Sequence, residues 1–433
     1  MTAHAYRGCI AHCLADPGDT AHSDNVEIFS DGVLVVEDGV VAELGPAEAL
    51  LPKLGTDVAV EDLREQLILP GMVDCHIHYP QTDIIASYGT QLLDWLNTYT
   101  FPFEARFADL DYARQTAEFF VEELLRNGTT TALVFATVHA HSVDALFEAA
   151  SKYDLCIAAG KVLMDRHCPE NLRDTAQSGY RDSRELIERW HRQGRNHYAI
   201  TPRFAPTSTL QQLQLAGQLA EEFPDVMIQT HLAENPREVE WALSLFPDSD
   251  SYLGIYKDAG LLRERSVFAH CIHLDEHDHR EMAAHDASIA FCPTSNLFLG
   301  SGLFDLSTAK SHGIRVGLGT DVGGGTSFSQ FATLAEAYKV LQLQGQSLNS
   351  LRGLYLATLA GAEALHLDDR IGNLRPGKDA DFVVVNPKST KLLERRISHS
   401  NSVEDQLFAQ FTMADERAVQ ATYVKGKRCF QQA

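Results

Sequence analysis

The sequence predicts an α/β protein: a (β/α)8 TIM barrel with a small β-sandwich domain formed by the N- and C-terminal flanks. Three observations predict it. Short apolar runs of strand length alternate with longer helical runs through the middle of the chain, which is the pattern of βα units around a parallel sheet. Eight such runs can be counted, the number that closes a barrel. Both ends carry β-rich stretches punctuated by hairpin turns. Residues 1–66 and 375–433 are therefore expected to supply the two parts of the small domain, and residues 67–374 the barrel.

In the N-terminal flank, two β-rich runs between Gly32 and Leu44 meet at Asp38-Gly39, a strong short-range hairpin signal. The C-terminal flank mirrors them with Ala380 to Val385 and Val419 to Val424, the latter followed by the turn Lys425-Gly426-Lys427. The barrel strands are expected at 67–78, 129–135, 155–164, 198–204, 226–231, 266–270, 287–292 and 315–321. Between the first two, Ala113, Ala117, Phe120, Val121 and Leu124 recur at three- and four-residue spacing, with Gly128 placed as a C-terminal stop. Val143, Leu146, Phe147 and Ala150 repeat that helical pattern. There is no internal sequence repeat and no low-complexity tract.

A formal net charge of −23 over 433 residues argues against a polyanionic partner, because phosphate backbones reward clustered Lys and Arg. A small-molecule partner is expected instead of nucleic acid. The first thirty residues, with His4, Arg7, Asp16, Asp19 and Asp24, hold no apolar core of signal-peptide length. No run reaches transmembrane length. The eight cysteines, at 9, 13, 75, 156, 168, 271, 292 and 429, form no CxxC pair and read as reduced thiols. A soluble, cytoplasmic protein without membrane association is expected.

The chemistry is concentrated at predicted strand ends. Asp74-Cys75-His76-Ile77-His78 closes the first apolar run. Alternation along a strand puts His76 and His78 on one side and Cys75 and Ile77 on the other, so the two imidazoles make half of a metal site. The fifth strand ends Thr230-His231-Leu232-Ala233-Glu234, the sixth Ala269-His270 and the eighth Gly319-Thr320-Asp321. In a barrel these ends share one rim. Three imidazoles and a carboxylate there form a closed set of ligands for a divalent ion.

Taken singly, each residue has an ordinary reading. A lone histidine such as His270 is more often a satisfied structural group, and His273 and His285 belong to that class. Asp321, before Gly323-Gly324-Gly325, also suits a turn or a helix cap. Glu234 suits a solvated charge. Their joint placement at strand ends of one barrel is much harder to obtain by accident. Two other zinc chemistries find no support: there is no HExxH, and Cys292-Pro293 is not followed by the spacing of a PCxxC deaminase.

HxH on the first strand, His on the fifth, His on the sixth and Asp on the eighth resemble the amidohydrolase superfamily. Further stretches narrow the likeness: Pro70 to Gln81, Thr201 to Thr207, His231 to Asn235, Phe291 to Leu297 and Gly317 to Asp321. Together they resemble the bacterial guanine deaminase family, over most of residues 30–430. The resemblance implies that His76, His78, His231 and Asp321 are ligands of one zinc ion per subunit. It also implies that Glu234 shuttles protons and that His270 stands beside the nucleophilic water, with Asp321 helping to orient it. Gln81, Arg203 and Phe204 match purine-contacting positions, with His231 and Glu234 also facing the substrate.

Binuclear relatives carry a bridging lysine at the end of the fourth strand. That strand here ends Thr201-Pro202-Arg203, while Lys161 falls in the third, so one metal is expected. The implied reaction is hydrolysis of guanine to xanthine and ammonia in purine catabolism or salvage, by a homodimer. The alternatives are a related aminohydrolase acting on 8-oxoguanine, a triazine or cytosine, and, more remotely, a catalytically silent metal-binding scaffold. Asp94, Trp95 and Tyr99-Thr100-Phe101-Pro102-Phe103 form either a lid or pocket wall, or a loop buried by packing.

Overall fold

The computed structural model describes residues 3–432 apart from His22, Asp57 and Thr90. It divides into two compact units. One draws on Asp74–Val121 and Ala132–Ser327, the other on the described residues of Met1–Val73, Glu122–Thr131 and Phe328–Ala433.

Eight strands form the barrel: β1 (Met72–His78), β2 (Thr129–Phe135), β3 (Cys156–Gly160), β4 (Asn196–Pro202), β5 (Met227–Leu232), β6 (Ser266–His270), β7 (Ser288–Phe291) and β8 (Arg315–Leu318). They are neighbours in chain order, and Val162–Leu163 adds a short pairing with β4. From β3 to β8 every pairing is parallel. The end of β8 returns to β1: the Asp321 N–H donates to the His76 carbonyl at 2.8 Å and the His78 N–H to the Val322 carbonyl at 2.9 Å. Nearly every strand residue is buried, as expected where helices cover a parallel sheet. The helix Leu110–Arg126 buries Ala113, Ala117, Phe120, Val121 and Leu124, and Gly128 takes a φ of +79° just beyond it. Among the described residues no helix is long and apolar enough to cross a membrane.

The first expected strand, 67–78, is two strands. Leu67–Pro70 ends the longer Ala59–Pro70, which pairs antiparallel with Phe382–Val385 and parallel with Ala3–Cys13 in the flank sheet. Pro70 cannot donate a ladder hydrogen bond, and at Gly71 the chain passes so close to a neighbour that a Cβ would lie 2.1 Å from Thr130 Oγ1. Gly71→Ala is accordingly expected to destabilise the protein by about 1–3 kcal/mol, read as a lowered denaturant midpoint.

The flank strands, expected as a sandwich, follow one hydrogen-bonded path of seven. Its order is Lys427–Gln431, Val419–Val424, Phe382–Val385, Ala59–Pro70, Ala3–Cys13, Val26–Glu37 and Val40–Pro46. Apolar side chains pack on both of its faces. Tyr6, Ile10, Leu34, Val36 and Phe382 share one cluster, while Ala5, Val33, Val35 and Leu50 share another. The Asp38-Gly39 turn has φ of +49° and +83°, the two positive values a tight right-twisted hairpin needs, and it sets Glu37 opposite Val40.

Candidate active site

His76 and His78 leave β1 on the same side, with their Nε2 atoms 3.2 Å apart. His231, near the end of β5, brings its Nε2 within 3.3 Å of that of His78. Asp321, three residues past β8, places Oδ1 3.2 Å from the Nε2 atoms of both His76 and His78. All four side chains are nearly or wholly buried. Two N or O ligands bound at 2.0–2.1 Å to a tetrahedral ion stand about 3.3–3.4 Å apart. The observed separations match that edge length, so the donor set fits one ion of zinc size.

The protonation states agree with the geometry. Burial pushes His78 down to about 3 and lowers His76 and His231 as well, leaving neutral imidazoles with free lone pairs. Burial opposes ionisation of Asp321, but the His76 and His78 imidazoles outweigh it and hold the carboxyl well below its usual range. The ring of His231 is oriented from behind: its Nδ1 lies 2.7 Å from the Arg203 carbonyl, which directs Nε2 at the cluster. Asp74, also in the opening motif, ties β1 to the end of β8. It accepts from the Thr320 N–H at 3.1 Å, the Thr320 hydroxyl at 2.5 Å and the His76 N–H at 3.2 Å.

Glu234 and His270 stand together beside this cluster. His270 Nε2 is 3.4 Å from Glu234 Oε2 and 3.8 Å from Asp321 Oδ2, and its Nδ1 faces Asn296 Oδ1 at 2.9 Å. Glu234 Oε1 accepts from the Ser301 hydroxyl at 2.9 Å. Burial, reinforced by the nearby charge of Asp321, pushes Glu234 up to about 8. A buried carboxyl that still holds its proton near neutrality can both give and take one. Its backbone is pinned as well: Glu238 accepts the N–H groups of Glu234 and Asn235 and is itself bonded by the Tyr252 hydroxyl.

A cavity of about 420 Å³ opens over these groups. Gln81, Arg203 and Phe204 line it together with His78, His231, Glu234, His270 and Asp321, and Leu92, Trp95, Leu96 and Leu299 supply apolar wall. Of the two readings of the segment after β1, the pocket wall is what the structure contains. Trp95 faces the cavity, and Phe101 lies beneath the Arg203 guanidinium at 5.4 Å. Asp94 instead makes an exposed ion pair with Arg237. Few polar groups on an apolar wall is the usual make-up of a pocket for a flat heterocycle.

The profile of the amidohydrolase family matches residues 67–429. The chain belongs to that family. Over 433 residues it is 50% identical to the guanine deaminase of Escherichia coli K12, covering 99% of this chain and 98% of that protein. The solved structure of the E. coli guanine deaminase superposes with a TM-score of 0.97 over 99% of this chain and all of that one. A guanine deaminase from C. acetobutylicum, solved with guanine in its active site, is 28% identical at a TM-score of 0.90, covering 99% and 100%.

Lys161, which the amidohydrolase pattern made a point of interest, is turned to another task. Its ammonium pairs with Asp174, which also accepts from the Gln212 amide. His273 and His285 bond backbone carbonyls, of Ser301 and Glu281. Sequence reasoning missed Glu104, Glu238, Asn296 and Ser301. Glu238 had a signal, since Asn235-Pro236-Arg237-Glu238 is a capping box at a helix start. Glu104, 99 residues from its partner Arg203, had none.

Proposed function

We propose that this amidohydrolase is a guanine deaminase, converting guanine and water to xanthine and ammonia. The observation that carries the reading is the full-length similarity to the E. coli enzyme at 50% identity. The cavity supports it, with polar groups on one side of a flat apolar slot and a buried acid at its floor.

In this reading His76, His78, His231 and Asp321 hold one divalent ion. Zinc suits the donor set, which also accepts iron, manganese or cobalt. When bound, the ion acidifies water to a pKa of roughly 7 and so makes hydroxide available at neutral pH. Glu234 takes up the proton released by the water and delivers it to a ring nitrogen next to C2. A second proton transfer through Glu234 lets the C2 amino group leave as ammonia. His270, fixed by Asn296, and the free oxygen of Asp321 orient the attacking oxygen. Gln81 and Arg203 read the polar edge of the base, and Phe204 packs against its face. We place the reaction in cytoplasmic purine catabolism or salvage, carried out by a homodimer.

Ammonia release from guanine, with metal analysis on the same sample, tests the reading. Stoichiometric metal and steady release are expected. A metal-loaded protein that releases none would sink it, as would better turnover of 8-oxoguanine, a triazine or cytosine.

A further inference from the structure

One carboxylate ties the two polar reading groups of the cavity together. Glu104 is 1% exposed, and both of its oxygens lie 2.9 Å from Arg203 Nη1. Its Oε1 also accepts from the Gln81 amide nitrogen at 3.3 Å. At the other end of that amide, Gln81 Oε1 accepts the Gly323 N–H at 3.2 Å. Both reading side chains are thereby held in one orientation before any ligand arrives. Glu104 ends the single helical turn Phe101–Glu104, whose first residue puts its ring under the same guanidinium. Three-residue spacing on a turn brings the ring and the carboxylate to one side, so this turn is a cradle for Arg203.

The electrostatic consequence is specific. An arginine almost fully buried in a ligand pocket is an anion receptor unless its charge is compensated from within. With Glu104 in contact, the pair presents no net charge to a ligand, and Arg203 can donate hydrogen bonds without demanding an anion. We propose that Glu104 is the specificity-setting positioning residue of this pocket: by clamping Arg203 and Gln81 with one carboxylate, it selects uncharged purine lactams over anionic purines. The inference rests on the guanine-deaminase reading and extends it to a residue that never touches the reacting atoms.

The test compares wild type, Glu104→Gln and Glu104→Asp as metal-loaded proteins, with two inhibitors. Hypoxanthine is neutral at neutral pH and keeps the lactam edge, whereas urate is an anion. Wild type is expected to bind hypoxanthine more tightly than urate. In Glu104→Gln the KM for guanine should rise roughly 10- to 100-fold, the loss of a charge-assisted contact, with kcat changed far less and metal content unchanged. The urate-to-hypoxanthine preference should move about tenfold or more toward urate. Glu104→Asp keeps the charge on a shorter arm, so it should raise KM while still excluding urate. A merely structural role would not move the preference between the two inhibitors.

Wild-type KM and unchanged inhibitor preference in folded Glu104→Gln would overturn the proposal. If that variant fails to fold, tighter urate than hypoxanthine binding by wild type would overturn it on its own, and the opposite order would support it. Absence of ammonia release from guanine by wild type is a separate result: it removes the guanine-deaminase reading, and the proposal with it.

Discussion

Glu234→Gln is expected to lower kcat for ammonia release by about 10²–10⁴, the usual worth of a positioned acid–base group, while leaving metal content and fold intact. Several observations set that size. Glu234 is a floor residue of the cavity, 3.4 Å from His270 and bonded to Ser301, and it is not among the four atoms that fit the ion. Gln keeps the shape and the acceptor for the Ser301 hydroxyl but cannot release or take up a proton. Because burial pushes Glu234 up to about 8, it exchanges protons near working pH, where a general acid–base group is most effective. Replacing it should even favour folding as pH rises, and the sign can be worked out. A carboxyl whose folded value lies above its unfolded one is harder to ionise in the native state. It therefore withdraws stability as pH climbs from the unfolded value through the folded one. In the amide variant that loss disappears, so activity falls while the melting temperature near pH 8 stays level or rises. Full activity in a metal-loaded Glu234→Gln protein would remove this side chain from the mechanism.

How much of this was legible beforehand depends on how local each signal is. His76 and His78 declare their common side through strand alternation alone, and His231, His270 and Asp321 through their places at strand ends. A barrel turns strand ends into neighbours, so residues up to 245 positions apart in sequence meet without any long-range pattern in the chain. Glu104 is the opposite case. It sits in an irregular run of short turns between Leu92 and Ala108, where no period marks a buried face. An isolated glutamate reads as solvated by default. Only the folded chain, bringing it to Arg203, shows why it is buried. The break at Gly71 was hidden for a related reason: an unbroken apolar run says that a segment is buried, not which of two sheets each half joins. Close approach to Thr130 decides that, and close approach is a property of tertiary packing.

Removing the divalent ion with a chelator is expected to abolish ammonia release and to lower the melting temperature together. The activity loss follows because none of the cavity's own groups generates hydroxide: Glu234 holds its proton up to about 8, and buried His76, His78 and His231 are shifted away from the basic range. The stability loss follows from linkage. An ion present at a hundred times its dissociation constant contributes about 2.7 kcal/mol to the native state alone. For a chain of this size that corresponds to a fall of roughly 5–10 °C. Restoring zinc should recover both quantities in wild type. Asp321→Asn separates ligand loss from chelator damage: it keeps three imidazoles and the shape of the fourth ligand but removes the only charge among them. Burial of an ion beside three neutral imidazoles and an amide leaves its charge far less compensated. This variant should therefore bind metal weakly, show little activity, and respond little to added zinc in its melting temperature. Undiminished turnover in wild-type protein shown by metal analysis to be ion-free would refute the metal-site assignment, because the four converging donor atoms would then be an arrangement without a catalytic consequence.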